Sequence, residues 1–131
     1  MKILVTGSRH LEDFEYVKRV FSSITDLFGG TAALILIHGG ANGADTLAAA
    51  AAKFYNWEVK APYYPDWDKY GKAAGPIRNK KMLYEENPDI VLAFWNGTVA
   101  NSGTFDMMEQ AIHKRDCVLF VYPTNWLKGV I

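Results

Sequence analysis

Short apolar runs of strand length alternate along this chain with longer stretches in which apolar residues recur every three or four positions. This alternation predicts a parallel sheet with helices on both faces, because parallel strands need long crossover connections and helices usually supply them. The predicted strands are nearly continuous apolar runs, which suits burial on both faces. They are Lys2 to Thr6, Ala33 to Ile37, Trp57 to Ala61, Ile90 to Phe94 and Val118 to Tyr122.

Four helices are predicted between these strands. The first has an apolar face from Phe14 to Phe28, with Asp13 to cap its start and a glycine pair to end it. The second runs from about Gly43 to Tyr55, the third from near Pro76 to before Pro88, and the fourth from about Gly103 to Lys114. We therefore expect one three-layer α/β domain over residues 1–131, with about five parallel strands.

The charge balance limits the partners, because 14 basic residues offset 14 acidic ones. A neutral chain has no bulk attraction to nucleic acid or to a membrane surface, so we expect a small-molecule ligand. The N-terminal apolar run is too short for a signal peptide, and no stretch approaches the ~20 residues of a membrane span. Cys117 is predicted to pack in the core, and a single cysteine suits a reducing compartment. We expect a cytoplasmic protein.

The loops after the predicted strands should meet at one edge of the sheet, where open parallel sheets bind ligands. The first loop contains Gly7, Ser8 and Arg9. The planar guanidinium of Arg9 matches phosphate or carboxylate oxygens, although it could instead pair with Glu12 or Asp13. Ser8 either contacts the ligand or satisfies backbone groups of its own turn.

The second loop enters the second helix through Gly39, Gly40 and Gly43. Glycines let a backbone approach a ligand closely, and a helix N-terminus favours an anion. The same glycines could serve only the tight connection. Asp45 would repel a phosphate, so it is predicted either to accept a hydrogen bond from a sugar hydroxyl or to stabilise the helix dipole. The spacing is neither a Walker A loop nor a dinucleotide fingerprint.

The third loop is rich in aromatic residues, which either stack on a nucleobase or form a small core that fastens the loop. They are Tyr63, Tyr64, Trp67 and Tyr70. Arg78 follows in the first turn of the third helix, near the same edge of the sheet.

The fourth loop is a second glycine turn into a helix, formed by Ser102, Gly103 and Thr104. Either hydroxyl could simply cap the helix. Two glycine turns at neighbouring helix N-termini would nevertheless form a more specific anion pocket than either alone. We expect no metal site and no cofactor, because the histidines are scattered through the chain. They are His10, His38 and His113.

Four motifs in order, Val5–Arg9, His38–Asp45, Tyr70–Asn79 and Ser102–Thr104, resemble the YspA-like branch of the SLOG superfamily. The resemblance implies a Rossmann-like fold and a nucleotide or nucleotide-derived ligand. It also implies homodimerisation, because the LOG-type phosphoribohydrolases of this superfamily are dimers. The expected ligand-binding residues are Gly7, Ser8, Arg9, Gly39, Gly40, Gly43, Asp45, Tyr70, Asn79, Ser102, Gly103 and Thr104.

LOG-type enzymes cleave the N-glycosidic bond of nucleoside monophosphates, and their phosphate loop has a glycine-threonine pair like Gly103-Thr104. Arg78, followed by Asn79 and Met82, resembles their Arg-Lys-x-x-Met motif, whose arginine is catalytic. Their catalytic glutamate follows the threonine by three positions, where this chain has Met107. Methionine can neither stabilise an oxocarbenium-like transition state nor activate water. The remaining candidates for the carboxylate are Asp45, Asp106 and Glu109.

Two functions remain open. One is hydrolysis of a nucleotide N-glycosidic bond, with Arg78 on phosphate or ribose. The other is a binding module that senses a nucleotide-derived ligand without consuming it, favoured by intact glycine loops beside the missing glutamate. A domain that binds a partner through Trp126 and the aromatic loop is a further alternative.

Overall fold

The computed structural model describes residues 1–30 and 33–124. Its strands are β1 (Lys2–Gly7), β2 (Ile35–Ile37), β3 (Glu58–Val59), β4 (Ile90–Trp95) and β5 (Val118–Pro123). They form one five-stranded sheet, entirely parallel, in the spatial order β3-β2-β1-β4-β5. The predicted α/β fold with a parallel sheet is confirmed.

Two strands are shorter than predicted. The second lacks Ala33 and Leu34, and the third keeps only two of its five predicted residues. β3 lies at the edge of the sheet, and its ladder with β2 pairs only Glu58 and Val59. Trp57 lies outside the strand, because its backbone N–H donates to the Ala52 carbonyl at 2.8 Å and so is not available to the ladder. Its indole Nε1 donates to Thr25 Oγ1 at 2.9 Å. An edge strand with one partner is held less tightly than the central β1 and β4.

The helices are α1 (Phe14–Phe28), α2 (Ala44–Phe54), α3 (Trp67–Tyr70), α4 (Ala74–Glu86) and α5 (Gly103–Lys114). Asp13 caps α1 as predicted, with its Oδ1 accepting from the Tyr16 N–H at 3.1 Å. α4 begins two residues before Pro76, which still falls in the first turn and so costs no hydrogen bond. α3 was not predicted, and Asp66 caps it by accepting from the Lys69 N–H.

Helices cover both faces of the sheet, so the predicted three layers are confirmed. Successive strand residues point to opposite faces, and β1 therefore supplies Ile3 and Val5 to one core and Leu4 to the other. The first core contains α1 and α2, and the second contains α4 and α5. Cys117 is half-buried against the second core.

Within the described ranges, no helix is long and apolar enough to cross a membrane. Trp126, on which the partner-binding alternative depends, lies outside the described residues.

Replacing Phe21 by alanine should destabilise the protein by about 3 to 5 kcal/mol. Phe21 is fully buried on α1 and stacks on Trp57 with ring centroids 4.7 Å apart, so the substitution leaves a cavity. Leu27→Ala on the same helix is the matched control, because Leu27 is 72% exposed. Urea unfolding measures both free energies. Equal losses in the two variants would contradict the described packing of α1.

Candidate functional site

A cleft of about 900 Å³ opens at the carboxyl ends of the strands. It lies where the strand order reverses beside β1, the position at which open parallel sheets bind ligands. The structure brings together here several of the residues singled out from the sequence. They are Arg9, Gly39, Gly40, Arg78, Ser102, Gly103, Asp106 and Glu109.

Arg78 connects three segments of the cleft wall. Its Nη1 donates to the carbonyls of Gly39 at 2.8 Å and Tyr63 at 3.0 Å, and its Nε donates to Asn79 Oδ1 at 3.0 Å. Burial lowers the pKa of the guanidinium, and the charge of Asp45 opposes that effect. Nη2 has no acceptor within the described ranges, so Arg78 keeps donors for a ligand.

At two positions of the site, a neighbouring segment comes so close that only glycine fits. A Cβ on Gly39 would lie 2.1 Å from Arg78 Nη1, so a side chain there would displace the guanidinium. A Cβ on Gly43 would lie 2.4 Å from the carbonyl carbon of Arg9, and Gly43 also has a φ of +77°. Both glycines therefore let neighbouring segments of the site pack together.

Three consecutive N–H groups of the second loop already have acceptors close by. Those of Gly39 and Ala41 donate to Asp45 Oδ2 at 3.1 and 3.2 Å, and that of Gly40 donates to His38 Nδ1 at 3.1 Å. An anion in the cleft would have to displace these acceptors or use other donors. These three N–H groups are thus not free to bind a phosphate.

Asp45 is 6% exposed and does not line the cleft. Burial raises the pKa of its carboxyl group to about 6, while hydrogen bonds from Ala41 and Gly39 and the charge of Arg78 oppose the rise. The contacts of Asp45 thus favour its structural interpretation over contact with a sugar.

The first turn of α5 lies at the second glycine turn of the cleft. Ser102 caps the helix, as its Oγ accepts from the Phe105 N–H at 3.0 Å. The N–H groups of Gly103 and Thr104 have no acceptor in the part of the chain that the structure describes, as is usual in a first helical turn. Gly103 lines the cleft, and Thr104 beside it is 7% exposed.

Asn79 joins α4 to α5 from a buried position, with 3% of its surface exposed. Its Nδ2 donates to the carbonyl of Gly103 at 3.1 Å and to Asp106 Oδ2 at 3.0 Å. Gln110 donates to the same Asp106 oxygen at 2.8 Å. Asp106 Oδ1 accepts from no donor within the described ranges. Nothing in the sequence singled out Gln110 as a site residue, because glutamine in a helix is ordinarily a solvated surface residue.

Met107 is fully buried in the second core, against Leu4 and Leu83. A carboxylate at this position of α5 would point into the apolar core instead of the cleft. Asp106 lies one residue earlier and Glu109 two residues later, and both line the cleft. These two are the acidic residues that the structure brings to the site.

The remaining predicted site residues do not line the cleft. The Ser8 Oγ accepts from the His10 N–H at 3.1 Å, which is a contact with a backbone group of its own turn. Arg9, by contrast, is exposed in the cleft and has no ion pair with Glu12 or Asp13. The residues outside the lining are Gly7, Ser8, Gly43, Asp45, Tyr70, Asn79 and Thr104.

The aromatic residues of the third loop have different surroundings. Tyr63 fastens the loop to α4, because its hydroxyl donates to Glu86 Oε2 at 2.5 Å. That hydrogen bond raises the pKa of Tyr63 above its ordinary value. Tyr64 and Trp67 are exposed and line the cleft, whereas Tyr70 is exposed outside it.

No group of three or more His, Cys, Asp or Glu within residues 1–30 and 33–124 could hold a metal ion.

Comparisons with known proteins agree with this architecture. The model of the family described as "YspA, cpYpsA-related SLOG family" matches residues 1–70. The Gene 61 protein of Mycobacterium phage D29 is 33% identical over 115 residues, which cover 84% of this chain and 87% of the phage protein.

Among solved structures, DNA processing protein A (DprA) from Streptococcus pneumoniae matches with a TM-score of 0.71 over 98% of this chain. The identity is 20%, and the match covers 52% of the DprA chain. The likeness therefore shows a shared fold, and this chain spans about half the length of that protein.

Stability should depend on pH through Asp45. Because its pKa is about 6 in the folded protein and about 3.9 in an unfolded chain, the folded state binds more protons between these values. The free energy of unfolding should fall by about 2 kcal/mol as the pH rises from about 4 to about 6, and change little through this group above that.

Asp45→Asn removes this titration. Urea unfolding at about pH 4 and about pH 7 should show the variant gaining about 2 kcal/mol relative to the wild type at the higher pH. The comparison cancels the groups that titrate in both proteins. A free-energy difference that stays constant across this range would contradict the prediction.

Proposed function

Because this chain belongs to the YspA, cpYpsA-related SLOG family, we propose that its cleft binds a nucleotide or a nucleotide-derived small molecule. The family is associated with such ligands. A volume of about 900 Å³ lies within the usual range for small-molecule sites.

The observation that carries this proposal is a set of unused donors on two residues that line the cleft, Arg9 and Gly103, and on Thr104, which follows Gly103 just outside the lining. The guanidinium of Arg9 and the N–H groups of Gly103 and Thr104 have no protein acceptors in the described part of the chain. A phosphate group would accept from all of them, and the α5 dipole would favour its negative charge. Arg78, with its unused Nη2, would donate to a further phosphate or sugar oxygen.

The second loop supports the same assignment by contrast. Three of its N–H groups, those of Gly39, Gly40 and Ala41, already donate to Asp45 and His38, so we propose that the phosphate lies at α5. Gly39 and Gly40 line the cleft at the other glycine turn and would contact the sugar through backbone atoms.

Replacing Arg9 by glutamine should weaken binding of adenosine or guanosine 5′-monophosphate about 10- to 100-fold, the usual effect of losing a charge-assisted hydrogen bond. Isothermal titration calorimetry measures the affinities. Arg19→Gln is the matched control, because Arg19 is exposed on α1 and does not line the cleft. Unchanged affinity in Arg9→Gln would contradict the phosphate position, and no binding to the wild type would contradict the proposed function.

A second candidate function is hydrolysis of the N-glycosidic bond, and the position of Asp106 favours it. Two amide donors, from Asn79 and Gln110, hold Oδ2 and leave Oδ1 without a protein donor. A carboxylate held rigidly by neighbours can stabilise an oxocarbenium-like transition state or activate water. Glu109 lines the same cleft and is the alternative carboxylate.

Asp106→Asn should abolish release of free base from nucleoside monophosphates while changing their affinity only a few-fold. The asparagine oxygen can accept from the same two amides, so the fold is preserved. Chromatography of the reaction mixture detects the base. Undiminished release in the variant would contradict the role of Asp106. Nucleotide binding without release by the wild type would favour the alternative, a non-catalytic sensor.

A further inference from the structure

We propose that Tyr64 and Trp67 form an aromatic wall on which the base of a nucleotide stacks, so that the ligand of the cleft carries an intact nucleobase. This inference rests on the proposed function and specifies its substrate class beyond a sugar phosphate.

Tyr64 stands on the second glycine turn. A Cβ added to Gly40 would lie 2.4 Å from Tyr64 Cε1 and 3.0 Å from Pro62 Cβ, so the ring lies directly against the turn where a side chain would otherwise be. Tyr64 is nevertheless 71% exposed. The ring therefore contacts the turn, lines the cleft and keeps most of its surface accessible.

Trp67 begins α3, and its ring lies against the start of α4. Its Cη2 lies 3.6 Å from the position of a Cβ on Gly75, which is an ordinary van der Waals contact. Trp67 is 54% exposed and also lines the cleft. Two large aromatic side chains of one segment therefore flank the same cleft with accessible surface.

The backbone that carries Tyr64 and Trp67 is held by hydrogen bonds that do not involve their rings. The Tyr63 N–H donates to the His38 carbonyl at 3.0 Å, the Tyr63 carbonyl accepts from Arg78, and the Tyr63 hydroxyl bonds Glu86. Asp66 caps the short helix that begins at Trp67. Because these contacts hold the segment in place, a fastening role does not explain the two exposed rings.

The position of this wall identifies the ligand chemistry. A flat aromatic shelf beside unused phosphate donors matches a molecule with both a π-face and an anionic group, which is what a nucleotide offers. Val99, 54% exposed, and the half-buried Phe105 add apolar surface to the same cleft from the loop after β4 and from α5. Every nucleobase can stack on an aromatic ring, so the wall favours ligands that contain a base but does not distinguish one base from another.

Calorimetric titration with adenosine 5′-monophosphate, guanosine 5′-monophosphate and ribose 5-phosphate tests the inference. The wild type should bind both nucleotides roughly 5- to 140-fold more tightly than ribose 5-phosphate, the range that stacking provides. The double variant Tyr64→Leu, Trp67→Leu should lose most of this preference and keep its affinity for ribose 5-phosphate. Tyr84→Leu is the control, because Tyr84 is 55% exposed on α4 and does not line the cleft.

Equal affinities of the wild type for the nucleotides and ribose 5-phosphate would overturn the aromatic wall and leave phosphate-sugar binding intact. A preference for nucleotides that survives the double substitution would also overturn it. Absence of binding by all three probes would overturn the proposed function itself. Thermal unfolding of each variant by circular dichroism establishes that a lost preference comes from a folded protein.

Discussion

The half-buried guanidinium of Arg78 is the group on which the rest of the site depends. Withdrawing a cation from water is costly unless acceptors replace the water, and this guanidinium donates to the carbonyls of Gly39 and Tyr63 and to the amide oxygen of Asn79. These acceptors belong to three segments that are distant in sequence. By satisfying one cation, the loops after β2 and β3 and the start of α4 take fixed positions around the cleft. The aromatic segment after Tyr63 takes its place from the same contact.

The two glycine turns look alike in sequence and differ in which donors remain free. In the turn after β2, Asp45 and His38 reach back to three consecutive N–H groups. In the turn after β4, the Ser102 hydroxyl accepts from the Phe105 N–H alone. The N–H groups of Gly103 and Thr104 have no acceptor among the described residues. The difference comes mainly from Asp45, a buried residue in the first turn of α2 whose carboxylate accepts from the loop N–H groups of Gly39 and Ala41. In the proposed binding mode the phosphate therefore lies at α5, and the more conspicuous glycine motif follows β2, on the other side of β1 from β4.

Helical rotation decides the roles of the acidic residues. Each residue of α5 turns the side-chain direction by about 100°, so Asp106 lies in the cleft while Met107 lies in the core between the sheet and the helices. The resemblance identified Met107 as the departure from LOG-type enzymes. The contacts of Asp106 with Asn79 and Gln110 explain how this chain nonetheless holds a carboxylate in a defined orientation. They could not be read from the sequence, because the three residues come from two helices.

The sequence by itself determined the parallel α/β fold, the first helix with its Asp13 cap, and the edge of the sheet at which polar loops meet. Those features follow from apolar periodicity and local capping, which act over a few residues. Only the tertiary structure decided which polar groups are free to meet a ligand. Asp45 and Ser8 accept hydrogen bonds inside their own turns, whereas Arg9 has no ion-pair partner in the part of the chain that the structure describes. The physical reason is that a hydrogen-bonding group is available only when no closer partner has taken it, and the partners are fixed by packing between segments far apart in the chain.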